Sequence, residues 1–472
     1  MEVIPISAPD CMDDFCNTRV RTFFILDDRV DEPKLRESLT RLIRDHWRKL
    51  GARIVAQKNK RPVYHLPKVF DDNYELFRWS ADESHSPFDV AAAELHLKTA
   101  KPDGGVAVLP STVVYEALFH PRHWPITLDA EPDAPMLLVH LSLFSDATVI
   151  TISHPHILGD QLGLGNIIKA WLGLLEDKAP PPMLGHSEDI LPGQKPFAQY
   201  PRSETCKKGR HHVYGRFERL CVLLPFVWEM TVESKEERAT LFFPLPLVQS
   251  LRERHTAALT EKYGASPELT NADIISGIMA KFARLSSKGK PMLSLTQTIN
   301  LRGRIPALSS PQSQAGYIHN ALVYATSHFR YDPSLPASEI ARLNRAAIAE
   351  VIGDPATMEV LLAVTREKYR RGQSLHICEP FGRSYHMTNW APAWRGLDFT
   401  PALGESAKEG REGRKVGLMV MGEWTLPGMP VRYASFITSK SEDGYWVSFG
   451  ATTRGMKLVR EYLAEDPMLE RL

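Results

Sequence analysis

Features of secreted, membrane-spanning and nucleic-acid-binding proteins are scarce in this chain. Its 472 residues include five cysteines, an odd number without a C-x-x-C pair, which favours reduced thiols in a cytoplasmic protein over a disulfide framework. No apolar run is long enough to cross a bilayer, and the opening residues M-E-V-I-P-I-S lack the basic start and apolar stretch of a signal peptide. The formal net charge of +1 is not the basic excess that nucleic acids and anionic membranes attract, so we expect neither as a partner.

Common catalytic signatures are absent as well. The chain contains no G-x-S-x-G elbow, no G-x-x-x-x-G-K-[ST] phosphate loop and no H-E-x-x-H zinc motif. Gly159, Gly163 and Gly165 follow an apolar run but do not form G-x-G-x-x-G, and we attribute them to close packing of a helix. These absences leave the chemistries that depend on such motifs without support.

The length and composition indicate a globular protein of two domains. Hydrophobic residues make up 43% and charged residues 24% of the chain, which is enough for large cores, and the length exceeds that of one ordinary core. We place an N-terminal domain at residues 1–175, a Pro-rich crossover linker at 176–215 and a C-terminal domain at 216–472. Part of 370–400 is expected to pair with the first domain.

Hydrophobic periodicity predicts strands alternating with helices in both domains, as is typical of an α/β fold. In the first domain the pattern predicts strands near 19–27, 52–56 and 62–66 and helices over 31–50 and 164–175. In the second domain it predicts helices over 271–286, 337–351, 355–370 and 455–463, and strands over 293–300, 384–388, 416–421, 431–438 and 445–450.

The most informative stretch spans residues 137–175. Two apolar, β-rich runs flank a Ser-Asp turn, and the second run ends in S-H-P-H-I-L-G-D, which places His156 and Asp160 between a buried strand and an amphipathic helix. A base held at a rigid strand end, with a carboxylate four residues later, suits proton abstraction from a hydroxyl or an amine. The same H-x-x-x-D spacing also occurs at His85/Asp89 and His328/Asp332. On spacing alone, the favoured interpretation of His156 is therefore a hydrogen-bonded histidine of the core.

The same segment also allows a metal site, as a more distant alternative. His154 and His156 stand two apart on a strand, hence on one face, and Asp160 could be a third ligand for zinc or a similar ion. No distant cluster of His, Cys and Asp with matching spacing supplies a fourth ligand. A metal-dependent hydrolase built on these three residues is therefore the less favoured hypothesis.

Several segments, in the right order, resemble the BAHD acyltransferases, and most closely their fungal branch of trichothecene 3-O-acetyltransferase type. Residues 153–165, S-H-P-H-I-L-G-D-Q-L-G-L-G, resemble the family's H-x-x-x-D-G segment. Residues 270–281, T-N-A-D-I-I-S-G-I-M-A-K, resemble the first helix of its second domain. Residues 300–320, N-L-R-G-R through A-G-Y-I-H-N, resemble its N-x-R-x-R and G-Y-x-G-N stretch, and 388–399, T-N-W through D-F, its T-S-W and D-F-G segment.

The chain departs from the family pattern at three places. Gln161 follows the motif aspartate where the family has glycine, D-F-T-P-A replaces D-F-G-W-G, and His319 stands where a glycine is usual. The substitution at Gln161 puts the loop geometry in question, because a glycine can be required where φ is positive.

The resemblance implies a fold and an activity. The fold would consist of two αβ domains of the chloramphenicol-acetyltransferase type, with the active site in a tunnel between them. The activity would be acyl-CoA-dependent O-acyl transfer, most simply acetyl transfer, to a hydroxyl of a fungal secondary metabolite without a covalent acyl-enzyme. His156 would act as general base, while Asp160 would pair with Arg302 or Arg304 and fix the loop rather than relay a proton.

The resemblance also assigns roles to the later segment. Thr388 and Trp390 match the T-S-W positions, where the hydroxyl would donate to the oxyanion and the indole would line the meeting point of thioester and acceptor. Asp398 would make a structural ion pair. From the residues alone, the favoured interpretation of Thr388 and Trp390 is that they are ordinary strand residues with an aromatic core contact.

Acetyl-CoA, or another acyl-CoA, would be a co-substrate, and we expect no permanently bound cofactor. Candidate partners for its negative charges are basic residues around the second-domain helix and in a polar loop, although a solvated surface charge is the simpler account of each. These are Lys281, Lys288, Lys290, Lys408, Arg411, Arg414 and Lys415. A tunnel closed within one chain is compatible with a monomer. The second hypothesis is a non-acylating member of the same scaffold, which binds a ligand or catalyses another proton transfer.

Overall fold

The computed structural model describes residues 1–12, 17–57, 60–265, 268–287, 289–373, 379–411, 413–425 and 428–472. The strands, numbered in chain order, are β1 Glu2–Pro5, β2 Arg19–Leu26, β3 Arg53–Gln57, β4 Lys60–Leu66, β5 Arg78–Glu83, β6 Ala107–Leu109, β7 Leu138–Leu143, β8 Thr148–Pro155, β9 Glu236–Pro244, β10 Met292–Asn300, β11 Leu322–Arg330, β12 Arg383–Asn389, β13 Leu418–Glu423, β14 Ala434–Lys440 and β15 Gly444–Thr452. The α-helices are α1 Glu32–Arg41, α2 Phe88–Ala91, α3 Thr112–Phe119, α4 Gln161–Gly173, α5 Arg202–Thr205, α6 Arg216–Val232, α7 Leu245–Tyr263, α8 Asn271–Phe282, α9 Pro311–Gly316, α10 Ala337–Ile352, α11 Pro355–Arg370, α12 Glu405–Glu409 and α13 Thr453–Glu465.

The first domain is built on a five-stranded sheet in the order β13-β2-β8-β7-β5. Strands β2 and β8 lie in its interior and are buried along their whole length, which explains why β8 reads as an apolar-rich run rather than a strict alternation. Helices α1 and α4 pack together beside this sheet, where the indole N–H of Trp171 donates to the carbonyl of Leu35 at 2.9 Å. This packing fixes α4, and with it the segment that joins β8 to α4.

The second domain is built on a seven-stranded sheet in the order β11-β10-β12-β14-β15-β9-β6. Strands β10, β12 and β14 run parallel to one another in its centre, and helices α7, α8, α10 and α13 contribute to the apolar core of this domain. A smaller sheet, β1-β4-β3, belongs to the N-terminal part. The α/β architecture expected from the sequence is confirmed.

Each domain supplies a strand to the other domain's sheet. β6, from the first 175 residues, pairs with β9, and β13, from the C-terminal part, pairs antiparallel with β2. The strand inside 370–400 is β12, which pairs with β10 and β14 of the second domain. The contact of this region with the first domain is instead a packing contact, since Ala393 and Trp394 join the core around α4. The strand that pairs with the first sheet is therefore β13, which lies after the expected segment.

The Pro-rich stretch 176–215 runs from one domain to the other. Within it, the carbonyl of Pro181 accepts from the indole of Trp47 in the first domain, and Leu184 forms a β-bridge with Tyr317 in the second. The second domain then opens with α6, a helix that the sequence pattern did not predict.

The helix expected over 31–50 is divided. α1 ends at Arg41 and is followed by a π turn, Leu42–His46, and a 3₁₀ turn, Arg48–Gly51. The apolar residues that suggested one long helix are all buried, namely Leu35, Leu39, Leu42, Ile43, Trp47 and Leu50. The wider turn keeps these side chains in the core while the chain changes direction.

No helix in the described part of the chain combines the length and apolar character needed to cross a membrane. Cys11, Cys206 and Cys221 form no disulfide among the described residues, while Cys16 and Cys378 lie outside them.

Candidate active site

His156 follows the last residue of β8 and borders a cavity between the two domains. Its backbone N–H donates to the carbonyl of Thr18 at 2.8 Å, and its carbonyl accepts from the side-chain amide of Asn320 at 2.9 Å. Burial lowers the pKa of the imidazole, against smaller raising effects from a hydrogen bond to its own backbone and from the charge of Asp160. The ring is therefore neutral near pH 7 and can accept a proton.

Both carboxylate oxygens of Asp160 accept hydrogen bonds from neighbouring groups of the protein. One oxygen accepts from the backbone N–H of Gly163 at 2.8 Å and caps α4. The other accepts from the Arg302 guanidinium at 2.9 Å and from the backbone N–H of Ala321 at 2.9 Å. The ion pair is buried, with side-chain exposures of 3% for Arg302 and 6% for Asp160. Asp160 thus ties the start of α4 to the second domain.

Arg302 extends this frame, and it is the arginine that pairs with Asp160. It donates to the carbonyls of Tyr317 and His319, the latter at 2.7 Å. Arg304 instead donates to the backbone carbonyl of Asn300 at 3.0 Å and makes no ion pair among the described residues. Of the two arginines considered from the sequence, the structure brings Arg302 alone to the carboxylate.

The glycines behind His156 allow two backbones to approach closely. A Cβ atom at Gly159 or Gly163 would overlap the carbonyl oxygen of Ile318, which accounts for these residues by packing, as the sequence suggested. Gln161 is the first residue of α4 and is not among the residues with positive φ. The backbone there does not require glycine, so the substitution leaves the loop geometry intact.

His319 makes a second contact that holds the loop between β8 and α4. The Nδ1 atom of His319 donates to the carbonyl of Leu158 at 2.8 Å, because a carbonyl can only accept. The opposite nitrogen, Nε2, then accepts from the ammonium of Lys49 at 3.0 Å. Burial lowers the pKa of Lys49 to about 8 and that of His319 well below its usual value. The histidine that departs from the family pattern therefore connects the 3₁₀ turn Arg48–Gly51 to the loop that carries His156.

A third contact comes from the N-terminal segment. One carboxylate oxygen of Asp10 accepts from the backbone N–H and the side-chain amide of Asn320, at 3.0 and 2.8 Å. The same amide donates to the carbonyl of His156. Burial raises the pKa of Asp10 to about 6, against the lowering effect of hydrogen bonds from Ser7 and Asn320. Sequence reasoning missed Asp10 and Lys49, since neither lies near the motif along the chain.

His156 borders a cavity of about 370 Å³. Its floor is the central part of the seven-stranded sheet, where every second residue of neighbouring strands contributes. The floor residues are Thr296, Thr298, Asn300, Leu322, Tyr324, Ser384, His386, Thr388, Ala434 and Phe436. Gln161 and Leu162 of α4 also line the cavity, as do Leu223 and Phe226 of α6. Both domains therefore contribute to the space that His156 borders.

Thr388 and Trp390 both line this cavity. Thr388 lies on β12, on the same face as His386. Trp390 stacks on Phe436, with ring centroids 5.3 Å apart and planes 8° apart, and is 8% exposed. A Cβ atom at Gly422 would come within 2.6 Å of the indole, so glycine is required there for the ring to fit. The structure thus brings both residues to the space that borders His156.

Asp398 lies away from this space. It accepts from the backbone N–H of Thr400 at 2.9 Å and pairs with Lys415 at 3.1 Å. The hydrogen bonds from Thr400 and the Lys415 charge hold the pKa of Asp398 below its usual value, although burial acts in the opposite direction. This is a structural contact of the loop.

The basic residues considered for coenzyme A are largely occupied by other partners. Lys281 donates to the carbonyls of Pro333 and Leu335, and Arg411 pairs with Asp27 and Asp28. Four further residues have these partners: Lys290 with Asp332, Lys408 with Glu405, Lys415 with Asp398, and Arg414 with the carbonyl of Arg411. Lys288 lies outside the described residues. None of the six described residues lines the cavity that His156 borders.

Among the polar residues that the sequence analysis did not place in the cavity are His386 and Gln161. The Nε2 atom of His386 lies 2.6 Å from the hydroxyl of Thr298, and burial lowers the pKa of His386 to about 4. Gln161 is 5% exposed, and neither polar atom of its amide has a hydrogen-bond partner in the described part of the chain. The period of two along β12, read back from Thr388, would have pointed to His386.

The alternative metal trio does not assemble. In the described ranges, no group of three His, Cys, Asp or Glu side chains lies close enough to hold a metal ion. His154 is buried in β8, which lowers its pKa to about 3, and Asp160 is held by Arg302. The residues present therefore do not fit a metal-ligand set at this position.

No protein-family model matches the chain. Similar sequences occur among fungal proteins. Acetyltransferase adrJ of Penicillium rubens is 26% identical over 400 residues, covering 81% of this chain and 78% of that protein. O-acyltransferase pboC of Aspergillus ustus is 27% identical over 469 residues, covering 92% of this chain and 93% of that protein.

Among solved structures, F. graminearum TRI101 complexed with coenzyme A and T-2 mycotoxin superimposes with a TM-score of 0.68 at 13% identity. The match covers 98% of this chain and 97% of that chain, so the two proteins share a fold over their full lengths. Taken with the fungal acetyltransferase sequences, it confirms the resemblance of this chain to the fungal branch of the BAHD-like acyltransferases.

Proposed function

We propose that this chain is an acyl-CoA-dependent O-acyltransferase, in detail an acetyltransferase that modifies a hydroxyl of a fungal secondary metabolite. One observation carries the proposal: the neutral, partly buried imidazole of His156 follows β8 and borders the cavity between the two domains, and the backbone of His156 is held by hydrogen bonds with Thr18 and Asn320, one in each domain. The names of the related sequences and the coenzyme A complex of TRI101 support the same reaction class.

The reaction needs a base but no permanently bound cofactor, because a thiolate is an adequate leaving group. His156 takes the proton of the acceptor hydroxyl as its oxygen attacks the thioester carbonyl carbon. The new C–O bond forms, the carbonyl becomes an oxyanion, and the C–S bond then breaks. The imidazolium returns its proton to the departing thiolate, so the products are the ester and coenzyme A, and no acyl-enzyme forms.

Thr388 is the proposed donor to the oxyanion. Its hydroxyl lies on the cavity floor, and a donor fixed on a strand costs little reorganisation when the charge develops. Trp390, held by Phe436, supplies an apolar wall that excludes water from the thioester. Asp160 supports the base through its position and takes no proton.

The assay is release of free thiol from acetyl-CoA in the presence of a panel of hydroxyl compounds, with deoxynivalenol among them because TRI101 has been solved with it. The variant His156→Ala is expected to lower turnover by about 10²–10⁴-fold, with a thermal midpoint close to that of the unmodified protein. Near-normal transfer by this variant would reject His156 as the base.

The chain offers a matched control for this variant. His85 has the same H-x-x-x-D spacing as His156 but is exposed and far along the chain from the cavity residues, so His85→Ala should transfer at the original rate. Equal losses in the two variants would show that the assay reports something other than the chemistry at His156.

The alternative, a non-acylating member of the same scaffold, is favoured by the buried amide of Gln161 and by the altered D-F-T-P-A segment. It predicts that acetyl-CoA yields no acceptor-dependent thiol with any panel member. We further propose a monomeric, cytoplasmic enzyme, since the site is completed within one chain and the described cysteines form no disulfide. Light scattering of the purified protein tests whether it is a monomer.

A further inference from the structure

A pair of polar side chains on the cavity floor has no part in the transfer chemistry described above. His386 on β12 and Thr298 on β10 face the cavity from neighbouring strands, and the imidazole Nε2 lies 2.6 Å from the threonine hydroxyl. His386 lies two residues before Thr388 on the same face of β12, which separates their Cα atoms by about 7 Å. The pair is thus close to the reacting centre but outside it.

The imidazole of His386 is neutral and has capacity for another hydrogen bond. Burial lowers its pKa to about 4, and no charged side chain contacts it among the described residues. Thr298 is its one hydrogen-bond partner there, and the Tyr324 ring lies edge-on with centroids 5.7 Å apart. Because Thr298 occupies Nε2 and the ring borders the cavity, Nδ1 is left for a molecule inside it.

The residues near Nδ1 of His386 include a hydroxyl pair that is already bonded and two aromatic rings. Thr296, the next floor residue of β10, already pairs with the hydroxyl of Thr326 at 3.2 Å. Trp390 and Phe436 make the adjacent wall aromatic. A polar group placed beside an aromatic wall orients a ligand, because an oxygen that meets it regains the hydrogen bond it lost with water.

We propose that His386 and Thr298 form a subsite that binds a carbonyl or hydroxyl oxygen of a substrate, about 7 Å along β12 from the oxyanion donor. The subsite rests on the proposed function. Since the threonine hydroxyl can donate or accept, Nδ1 can be an acceptor or a donor, and both kinds of oxygen fit. The oxygen belongs to a pantetheine amide of coenzyme A or to a second oxygen function of the acceptor.

The test compares His386→Leu with His386→Asn. Leucine removes the hydrogen bond, and loss of one neutral hydrogen bond predicts a rise in one KM of about three- to tenfold with kcat little changed. A rise in the KM for acetyl-CoA assigns the oxygen to pantetheine, and a rise in the KM for the panel acceptor with the highest rate assigns it to the acceptor. In the asparagine variant, whose amide nitrogen falls near the position of Nδ1, that KM should return most of the way to the wild-type value.

His328→Leu is the matched control. This histidine lies on the neighbouring strand β11 and is bonded to the hydroxyl of Ser294 at 3.1 Å, but it does not line the cavity, so both KM values should stay unchanged. The subsite is overturned if His386→Leu leaves both KM values at their original level, or if His328→Leu raises them equally. A wild-type protein that transfers no acetyl group would overturn the proposed function itself, and the two failures are thereby distinguishable.

Discussion

Replacing Asp160 with asparagine separates the structural task of this carboxylate from any chemical one. Asparagine caps a helix about as well as aspartate, so the bond from the N–H of Gly163 can persist. At the other oxygen an amide N–H₂ would then face two donors, the Arg302 guanidinium and the N–H of Ala321. The guanidinium, 3% exposed, would lose its counter-charge in a buried place.

The expected cost follows from that burial. Removing one partner of a buried ion pair costs about 3–5 kcal/mol, which is a large part of a typical stability of about 5–15 kcal/mol. We therefore expect a fold that survives at 25 °C with a clearly lower thermal midpoint. Turnover should fall as well, because the loop that carries His156 loses its connection to the second domain.

Asp398→Asn is the matched control for this variant. That carboxylate also accepts from a backbone N–H and pairs with a cation, but its partner Lys415 is 74% exposed, and such a pair is worth about 0–1 kcal/mol. Thermal unfolding by circular dichroism, with the thiol-release assay, compares the two. The reasoning is refuted if Asp160→Asn is no less stable than Asp398→Asn, or if it loses all turnover at an unchanged thermal midpoint, which would give Asp160 a chemical role.

Three further predictions concern the cavity. Because burial lowers the pKa of His156 and the base must be neutral, kcat/KM should stay level as the pH falls through 6.5 and decline only at lower pH; a decline that begins above pH 7 would contradict this. Thr388→Val should lower kcat by about 10²–10³-fold if its hydroxyl donates to the oxyanion, and an unchanged kcat would remove that role. Gln161→Met removes a buried amide without partners, so the free energy of unfolding should rise by about 1–3 kcal/mol; a lower thermal midpoint would show that the amide is satisfied in solution.

The fold was predictable where the signal is local. β8 and α4 were expected from an apolar run and a following amphipathic stretch; β8 ends at Pro155, and Asp160 caps α4. α6 was missed because Pro225 lies inside it and a proline normally argues against a helix interior. The exchange of β6 and β13 between the sheets depends on pairing between distant segments, which periodicity does not encode.

The residues of the candidate site were likewise predictable only where the signal is local. His156 and Asp160 could be selected because a strand and a helix flank them along the chain. Arg302 and Arg304 could not be separated, since they stand two apart in N-L-R-G-R and the side-chain directions depend on the turn between them. His386 carried a readable signal, its alternation with Thr388, but nothing in the residues marked β12 as the floor of a cavity.

The loop that carries His156 is held by contacts that come from different parts of the chain. Asp160 binds Arg302, Lys49 binds His319, and Asp10 binds Asn320. All three second-domain residues lie within 302–320, so this single segment makes contacts with the N-terminal segment, with the 3₁₀ turn Arg48–Gly51 and with the start of α4. Because the contacts share that segment, their losses should not add independently, and the geometry around His156 exists only when the two domains are docked.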